Sequence, residues 1–215
     1  MNLIIDVGNT RIKTAVFKDG KMIHNESLTA NSFVSDAIKI VKKYNCTNAI
    51  ISSVGSINKS QIAELRAEIN LIVLDYNTNV PFVNQYATPK TLGVDRIALV
   101  SSAVATYPNI NVLIIDAGSC ITYDFVNNEG NYLGGSISPG LQMRYKALNV
   151  FTEKLPLLEP FEIIELVGNS TESSIHSGVI NGIINEIDGI INQYRKKKCR
   201  FNSCFNRRRR KFLVK

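Results

Sequence analysis

The chain has 215 residues, of which 45% are apolar and 8% aromatic, enough to bury the core of one large domain or two small ones. No apolar run approaches the about 18 residues that span a bilayer, and the N-terminus does not resemble a signal peptide. These features favour a globular, cytoplasmic protein with no membrane partner. The formal net charge is +7, but 11 of the 25 Lys and Arg lie in residues 195–215, which leaves 14 basic against 18 acidic residues, a net charge of −4, in the rest. Nucleic-acid binding would therefore depend on that segment alone, and we expect none.

Strands and helices are predicted to alternate along the first half of the chain. Asp19-Gly20 is a typical hairpin turn between two of the strands. In chain order, the hydrophobic periodicity predicts strands at 2–7, 12–18 and 21–28, a helix at 32–44, a strand at 48–54, a helix at 58–69, a strand at 71–74 and a helix at about 93–107.

The pattern then restarts. Residues 111–125 predict two strands around a turn, followed by a third strand near 131–136 and helices at about 140–150 and 171–194. The stretches "LIIDVGNT" and "LIIDAGSC" repeat one device, with aspartates at positions 6 and 116. Internal repetition on this scale predicts two similar halves facing each other across a ligand-binding cleft.

Each repeated stretch predicts a hairpin suited to phosphate. A glycine lets the backbone approach a bulky anion, and backbone N–H groups and a hydroxyl can donate hydrogen bonds to phosphate oxygens. Asp6, Gly8, Thr10 and Lys13 supply these groups in the first copy. An aspartate beside phosphate implies a cation between them. In the second copy Asp116, Gly118 and Ser119 fill the same positions. A turn-capping role for either aspartate is the structural alternative, and the pairing of two copies argues against it.

Two further clusters carry candidate chemistry. Asp95 and Arg96 open the predicted helix at about 93–107, where the aspartate could cap the helix or act as a base and the arginine could bind a carboxylate. The glycines of "YLGGSISPGLQM" (132–143) could cradle phosphate or form sharp turns.

The order D-V-G-N-T-x-x-K, G-V-D-R, D-A-G-S and G-G-x-I-x-P-G resembles type III pantothenate kinase over about residues 1–194. The resemblance implies membership of the acetate and sugar kinase, Hsp70 and actin superfamily. The expected fold is α/β, with duplicated ribonuclease H-like (actin-like ATPase) domains, mixed five-stranded sheets flanked by helices, and a cleft between the halves. The expected domains are 1–110, 111–194 (incomplete) and the basic tail 195–215.

The resemblance also implies ATP-dependent phosphorylation of pantothenate to 4′-phosphopantothenate by a homodimer, with Mg²⁺ and a monovalent cation, K⁺ or NH₄⁺. By position, Asp95 would be the general base, Asp6 would orient Mg²⁺ through water and Asp116 would bind the monovalent cation. The expected ATP-binding residues are Asp6, Val7, Gly8, Asn9, Thr10, Arg11, Ile12, Lys13 and Ser119, and the expected substrate-binding residues are Tyr86, Gly93, Val94, Asp95, Arg96 and Thr171.

The segment after Tyr194 departs from the family, which continues with a strand and a Gly-Gly loop near the nucleotide. If the gene is read in the frame shifted by one base, the codons of "FNRRRRK" can encode "LTGGDA". The codons of Lys196–Lys198 could form an A-rich run, in which a base is easily gained or lost. We hypothesise that residues 195–215 are a frameshifted C-terminus, so that the chain as written would lack a strand and part of the adenine site, with weak or absent activity.

Two other functions stay open at this point. One is a kinase or phosphatase of the same superfamily that acts on another small molecule. The other is a non-catalytic regulator whose basic tail binds nucleic acid, an interaction that would weaken steeply with salt. The complete set of phosphate-site and base residues argues against the regulator.

Overall fold

A computed structural model describes residues 1–8, 11–55, 57–161, 165–198 and 201–207 of the chain. Contacts divide these residues into two compact units, one comprising Met1–Val80 and Ala87–Leu99, the other Pro81–Tyr86 and the residues from Val100 onward. Within the described residues no helix has the length and apolarity needed to cross a membrane.

The first unit contains a five-stranded sheet in the order β3-β2-β1-β4-β5, in which β1 pairs antiparallel with β2 and parallel with β4. Every predicted strand and helix of this region is present within about two residues of its predicted ends, as expected for boundaries read from periodicity. The elements are β1 (Asn2–Val7), β2 (Ile12–Lys18), β3 (Lys21–Leu28), α1 (Phe33–Tyr44), β4 (Asn48–Ser53), α2 (Lys59–Glu68), β5 (Asn70–Val73) and α3 (Val94–Thr106), the last of which continues into the second unit.

Buried and more exposed residues alternate along β1, and this alternation shows which face of the sheet is buried. Leu3, Ile5 and Val7 of β1 are at most 4% exposed and pack in one core with residues of α1 and α2 such as Ala37 and Leu65. Because successive side chains of a strand point to opposite faces, the even-numbered residues of β1 lie on the other face. Asp6 is therefore on the face of the sheet that is turned away from this core.

The second unit repeats the arrangement. Its sheet has the order β10-β7-β8-β9-β6, with β7 antiparallel to β8 and parallel to β10. Leu113 and Ile115 of β7 form a core with Tyr145 and with Ile183 and Ile187. The elements are β6 (Val83–Asn84), β7 (Asn111–Ala117), β8 (Cys120–Val126), β9 (Asn131–Pro139), α4 (Leu141–Val150), α5 (Thr171–Lys198) and β10 (Phe201–Arg207). The predicted α/β fold with two mixed five-stranded sheets is confirmed.

The structure corrects one expectation for residues 195–215, that the chain lacks a strand there. Helix α5 runs on to Lys198, since Lys and Arg have good helix propensity and cations are favoured at a helix C-terminus. Phe201–Arg207 then forms β10, parallel to β7, in the place that β4 occupies beside β1. The expectation that the chain as written lacks this strand is therefore wrong. Residues 208–215 lie outside the described residues.

Candidate functional site

The first D-x-G turn joins β1 to β2 in a tight hairpin. Val7 pairs with Ile12, and the backbone N–H of Gly8 donates to the carbonyl of Arg11 at 3.1 Å. Asp6, the penultimate residue of β1, is in register with Lys13 on β2. The structure thus brings together the predicted carboxylate and the predicted cation of the phosphate loop. Asn9 and Thr10, also predicted to bind ATP, lie outside the described residues.

The segment that follows β4 runs along this hairpin. The backbone N–H of Val54 donates to the carbonyl of Val7 at 3.1 Å, and a Cβ on Gly55 would lie 3.5 Å from the carbonyl oxygen of Gly8. Beside the hairpin is a cavity of about 690 Å³, whose polar lining includes Arg11 and Gln61. Val7, Gly8, Arg11 and Ile12 all line this cavity, so these predicted ATP-binding residues share one concave surface of the first unit.

The second turn, in the second unit, is packed against the start of α4. The backbone N–H of Gly118 donates to the carbonyl of Cys120 at 2.8 Å, which closes the turn, and the N–H of Gly140 donates to the carbonyl of Ser119 at 3.1 Å. A Cβ on Gly140 would lie only 2.2 Å from the Ser119 carbonyl oxygen, so the close approach requires glycine at position 140. The side chain of Ser119 is exposed, and the positive end of the α4 dipole lies next to it. This arrangement suits an anion.

The predicted base lies in the first turn of α3. The carbonyl of Gly93 accepts hydrogen bonds from the backbone N–H groups of Arg96, at 3.1 Å, and Ile97, at 3.2 Å, and so begins the helix. One carboxylate oxygen of Asp95 accepts from the backbone N–H of Arg96 at 2.9 Å. A Cβ on Gly93 would lie 2.5 Å from that same oxygen. The carboxylate of Asp95 therefore occupies the space that a side chain at position 93 would fill.

Arg96 is more deeply buried than its two preceding neighbours: it is 5% exposed, whereas Val94 and Asp95 are half-buried. A buried guanidinium makes stronger charge-assisted hydrogen bonds than an exposed one, because the local dielectric is lower. Arg96 can therefore recognise a carboxylate only from a position that is largely shielded from water.

Tyr86 belongs to the second unit and is held there by aromatic and polar contacts. Its ring stacks on Tyr132, with centroids 6.1 Å apart, and a Cβ on Gly134 would lie 3.3 Å from it. Gly134 has a φ of +98°, which favours glycine. The hydroxyl of Tyr132 in turn donates to the buried carboxylate of Asp124 at 2.7 Å. The position of the Tyr86 ring is thus fixed by the β8–β9 hairpin.

Thr171, the remaining predicted substrate residue, begins α5. It lines a cavity of about 1220 Å³ in the second unit, together with Arg144 and apolar residues such as Leu148 and Phe151. The preceding Ser170 caps the helix, because its side-chain oxygen accepts from the backbone N–H of Ser173 at 3.1 Å. Thr171 is exposed at this cavity and is available to a ligand.

Sequence reasoning missed a polar cluster in the second unit. The carboxylate of Glu186 on α5 accepts hydrogen bonds from Tyr123 at 2.8 Å and Ser138 at 3.0 Å, and forms an ion pair with Arg144 of α4. Burial acts to raise the pKa of Glu186, but the hydrogen bonds from its three neighbours outweigh burial and leave this pKa below its ordinary value of 4.5. Burial, followed by the contact with Glu186, raises the pKa of Tyr123.

The cluster connects to the second turn through Arg144. The Nε of Arg144 donates to the carbonyl of Pro139 at 2.9 Å, next to the Gly140 that contacts Ser119. Glu186 and Arg144 are 42 residues apart in sequence, and no local pattern signals their contact. The cluster therefore contacts the segment before α4 that packs on the second turn, and the sequence alone does not predict it.

Comparison with known proteins identifies the family. The family model described as type III pantothenate kinase matches residues 2–193. This chain belongs to the type III pantothenate kinase family. The resemblance seen in the motifs is thereby confirmed, and its predicted limit near residue 194 agrees with the end of the match.

Individual relatives support the same conclusion. A type III pantothenate kinase of Christiangramia forsetii is 50% identical over 198 residues, which cover 92% of this chain and 82% of the relative. The protein of the same name from Flavobacterium johnsoniae is 44% identical over 202 residues, covering 94% and 83%. A crystal structure from Campylobacter jejuni, described as a Baf family transcriptional activator, superposes with a TM-score of 0.55 at 24% identity, covering 87% of this chain and 78% of that one, and it supports the fold alone.

Proposed function

We propose that this chain transfers the γ-phosphoryl group of ATP to the hydroxyl of pantothenate and forms 4′-phosphopantothenate, the first committed step towards coenzyme A. The observation that carries the proposal is the family match over residues 2–193, which spans every residue predicted to act at the site. We further propose that the protein acts in the cytoplasm as a homodimer.

In the proposed reaction the hydroxyl oxygen of pantothenate forms a bond to the γ-phosphorus, and the bond between that phosphorus and the β–γ bridging oxygen breaks. ADP leaves, and the hydroxyl proton passes to the carboxylate of Asp95. Because such transition states are loose, the protein contributes mainly positioning and charge stabilisation. Asp95 suits the role of base, since its carboxylate is half-buried and is oriented by the backbone N–H of Arg96.

The substrate-binding roles are distributed as follows in the proposal. Arg96, Gly93 and Val94 at the start of α3, with Tyr86 and Thr171, hold pantothenate. Arg96 provides the planar, permanently charged donor that suits the pantothenate carboxylate. The hairpin from Asp6 to Lys13 and the exposed hydroxyl of Ser119 hold the ATP phosphates.

The residues present also fit two cations. Asp6 lies on the sheet face turned away from the core, in register with Lys13, and provides a carboxylate oxygen of the kind that Mg²⁺ prefers. Asp116 is the matching residue of the second turn and provides the same type of oxygen for a monovalent cation, K⁺ or NH₄⁺. When bound, these ions supply positive charge that offsets the charge developing on the transferred phosphoryl group.

Phosphorylation of pantothenate tests the proposal directly. ATP-dependent formation of 4′-phosphopantothenate is followed by mass spectrometry, with Mg²⁺ and K⁺ present or individually omitted. Asp95→Asn is the matched control, because it keeps the size of the side chain and removes the base. We expect product with the wild-type residue and a loss of at least about 100-fold with Asn.

A second version of the chain, with its reading frame shifted after Lys198, separates the family function from the effect of the tail. If only the version with the shifted frame forms 4′-phosphopantothenate, residues 199–215 of the chain as written are responsible for the loss of activity. If both versions fold and bind ATP but neither phosphorylates pantothenate, the substrate assignment is wrong, and other hydroxyl-bearing small molecules become the candidates.

A further inference from the structure

Two buried hydroxyl oxygens stand out in the structure. Ser52 Oγ and Thr122 Oγ1 are shielded from water and have no hydrogen-bond partner among the described residues. Leaving a buried hydroxyl unsatisfied is costly, and such groups in a native protein call for an explanation such as a bound ion or ligand. Both hydroxyls lie next to one of the two repeated aspartates.

Ser52 is the neighbour of Asp6 on the strand β4. The two residues are in register in the parallel β1–β4 pair, so their side chains project from the same face of the sheet. On the other side of Asp6 the register partner is Lys13. A cation, a carboxylate and a hydroxyl therefore stand in one row across β2, β1 and β4, on the face turned away from the core.

Thr122 is the neighbour of Asp116 on β8. The two residues are directly opposite each other in the antiparallel β7–β8 pair, where side chains on one face come within about 5 Å of each other. The register partner of Thr122 on β9 is Ile137, whose side chain has no hydrogen-bonding group. Thr122 is 8% exposed, so bulk water does not replace the missing partner.

The chemistry of the two pairs is the same. A carboxylate oxygen and a hydroxyl oxygen are hard ligands, which suit Mg²⁺ and alkali-type cations rather than transition metals. No group of three or more His, Cys, Asp or Glu that could hold a metal occurs in the part of the chain that the structure describes. A cation in these positions must therefore draw on oxygen ligands other than clustered carboxylates.

We infer that Ser52 and Thr122 are cation-site residues: the hydroxyl of Ser52 accepts a hydrogen bond from a water of the hydrated Mg²⁺ served by Asp6, and Thr122 Oγ1 is a ligand of the monovalent cation served by Asp116. This inference rests on the cation assignments of the proposed function. It adds two residues that the motifs did not identify, one in each unit.

The test measures how much of each cation is needed for binding a non-hydrolysable ATP analogue, by titration calorimetry and by thermal shift. Ser52→Ala and Thr122→Val remove the hydroxyls with little change in volume, and Ser52→Thr and Thr122→Ser restore them. Removing a group that orients metal ligands typically lowers metal affinity by about 10- to 100-fold. We expect Ser52→Ala to raise the half-saturating Mg²⁺ concentration at least about 10-fold and to leave that of K⁺ unchanged, and Thr122→Val to do the reverse.

The protein without nucleotide provides the second measurement. Because the hydroxyls are unsatisfied in that state, the Ala and Val variants should unfold at the same temperature as the wild type or higher. A lower unfolding temperature in the absence of ligand would mean that the hydroxyls have a structural role, and would overturn the inference.

Unchanged cation requirements in both variants, with the wild type requiring both ions, would overturn this inference and leave the proposed function intact. A wild type that binds the analogue without either ion would overturn the cation assignments themselves, and the inference with them. Recovery of the wild-type requirement in Ser52→Thr and Thr122→Ser would support the hydroxyl as the group responsible.

Discussion

Gly93, two residues before Asp95, is the position where a single substitution should perturb the proposed site most specifically. Gly93→Ala places a Cβ where it would lie 2.5 Å from a carboxylate oxygen of Asp95, whereas ordinary contacts begin at 3.4 Å. The carboxylate must therefore move by about 0.9 Å or change rotamer, and it then loses the 2.9 Å hydrogen bond from the backbone N–H of Arg96. Gly93 does not have a positive φ, so alanine can adopt its backbone conformation.

The magnitude follows from the displacement. A misplacement of about 1 Å of a catalytic group can reduce the rate about 100-fold, whereas a Gly→Ala change at a compatible backbone position alters stability by only about 0.4 to 1 kcal/mol. We therefore expect kcat for pantothenate phosphorylation to fall about 100-fold and the KM for ATP to stay within about twofold, with little change in unfolding temperature. Gly189→Ala is the matched control, because Gly189 lies in α5 and a Cβ there meets nothing within 4 Å.

The double variant decides whether Gly93 acts through Asp95. If the alanine only displaces the carboxylate, Gly93→Ala combined with Asp95→Asn should be no slower than Asp95→Asn alone. Steady-state kinetics on the four proteins measure this directly. Wild-type kcat in Gly93→Ala, or losses that multiply in the double variant, would show that Gly93 does not act through Asp95.

Three other predictions concern the second unit. Gly140→Ala should weaken binding of the ATP analogue at least about 10-fold by calorimetry, because a Cβ 2.2 Å from the carbonyl oxygen of Ser119 pushes the turn off α4; unchanged affinity would contradict this. The pKa of Glu186 is lowered by its hydrogen bonds, so its contribution to stability is complete above the ordinary value of 4.5 and is lost as the pH falls through the lower folded-state value. In Glu186→Gln the free energy of unfolding in urea should therefore depend less on pH below 4.5 than in the wild type. Resequencing the gene around Lys196–Lys198 tests the frameshift hypothesis, which fails if the codons of 205–211 cannot encode Leu-Thr-Gly-Gly-Asp-Ala in the shifted frame.

Much of the fold was predictable because the signals are local. Short apolar runs and the turns that bound them predicted β1, β2 and β3 at their observed ends, and the Asp19-Gly20 turn between β2 and β3 has the positive φ values that its sequence predicts. The repeat of "LIID" predicted two similar sheets, because equal sequences favour equal local structures. Strand β6 was missed, since its two residues are too few to show a period. Strand β10 was missed because FNSCFNR has only two aromatic residues among mostly polar ones and lies in a strongly basic segment, and its pairing with β7 depends on residues 90 positions away.

The candidate site was predictable where short sequence motifs mark it, at the two hairpins and at the start of α3. The motifs located Asp6, Asp95 and Asp116, but not the groups that orient them. The carboxylate of Asp95 lies where a Cβ on Gly93 would be, and this proximity is visible only in the three-dimensional structure. The partnership of Glu186 with Arg144 and the register of Ser52 with Asp6 join residues far apart in the chain, so that only the assembled sheet and helices bring them together.

The two D-x-G hairpins place different side chains opposite their repeated aspartates. Asp6 faces Lys13 across the first hairpin, whereas Asp116 faces the uncharged Thr122 across the second. In the proposed function the ammonium of Lys13 adds positive charge for the ATP phosphates, and the carboxylate of Asp6 serves Mg²⁺. The opposing side chain at Asp116 is the uncharged Thr122, so the cation proposed there would meet a carboxylate and a hydroxyl oxygen from these two residues. We therefore expect the residue opposite each repeated aspartate to influence which of the two proposed cations is bound beside it.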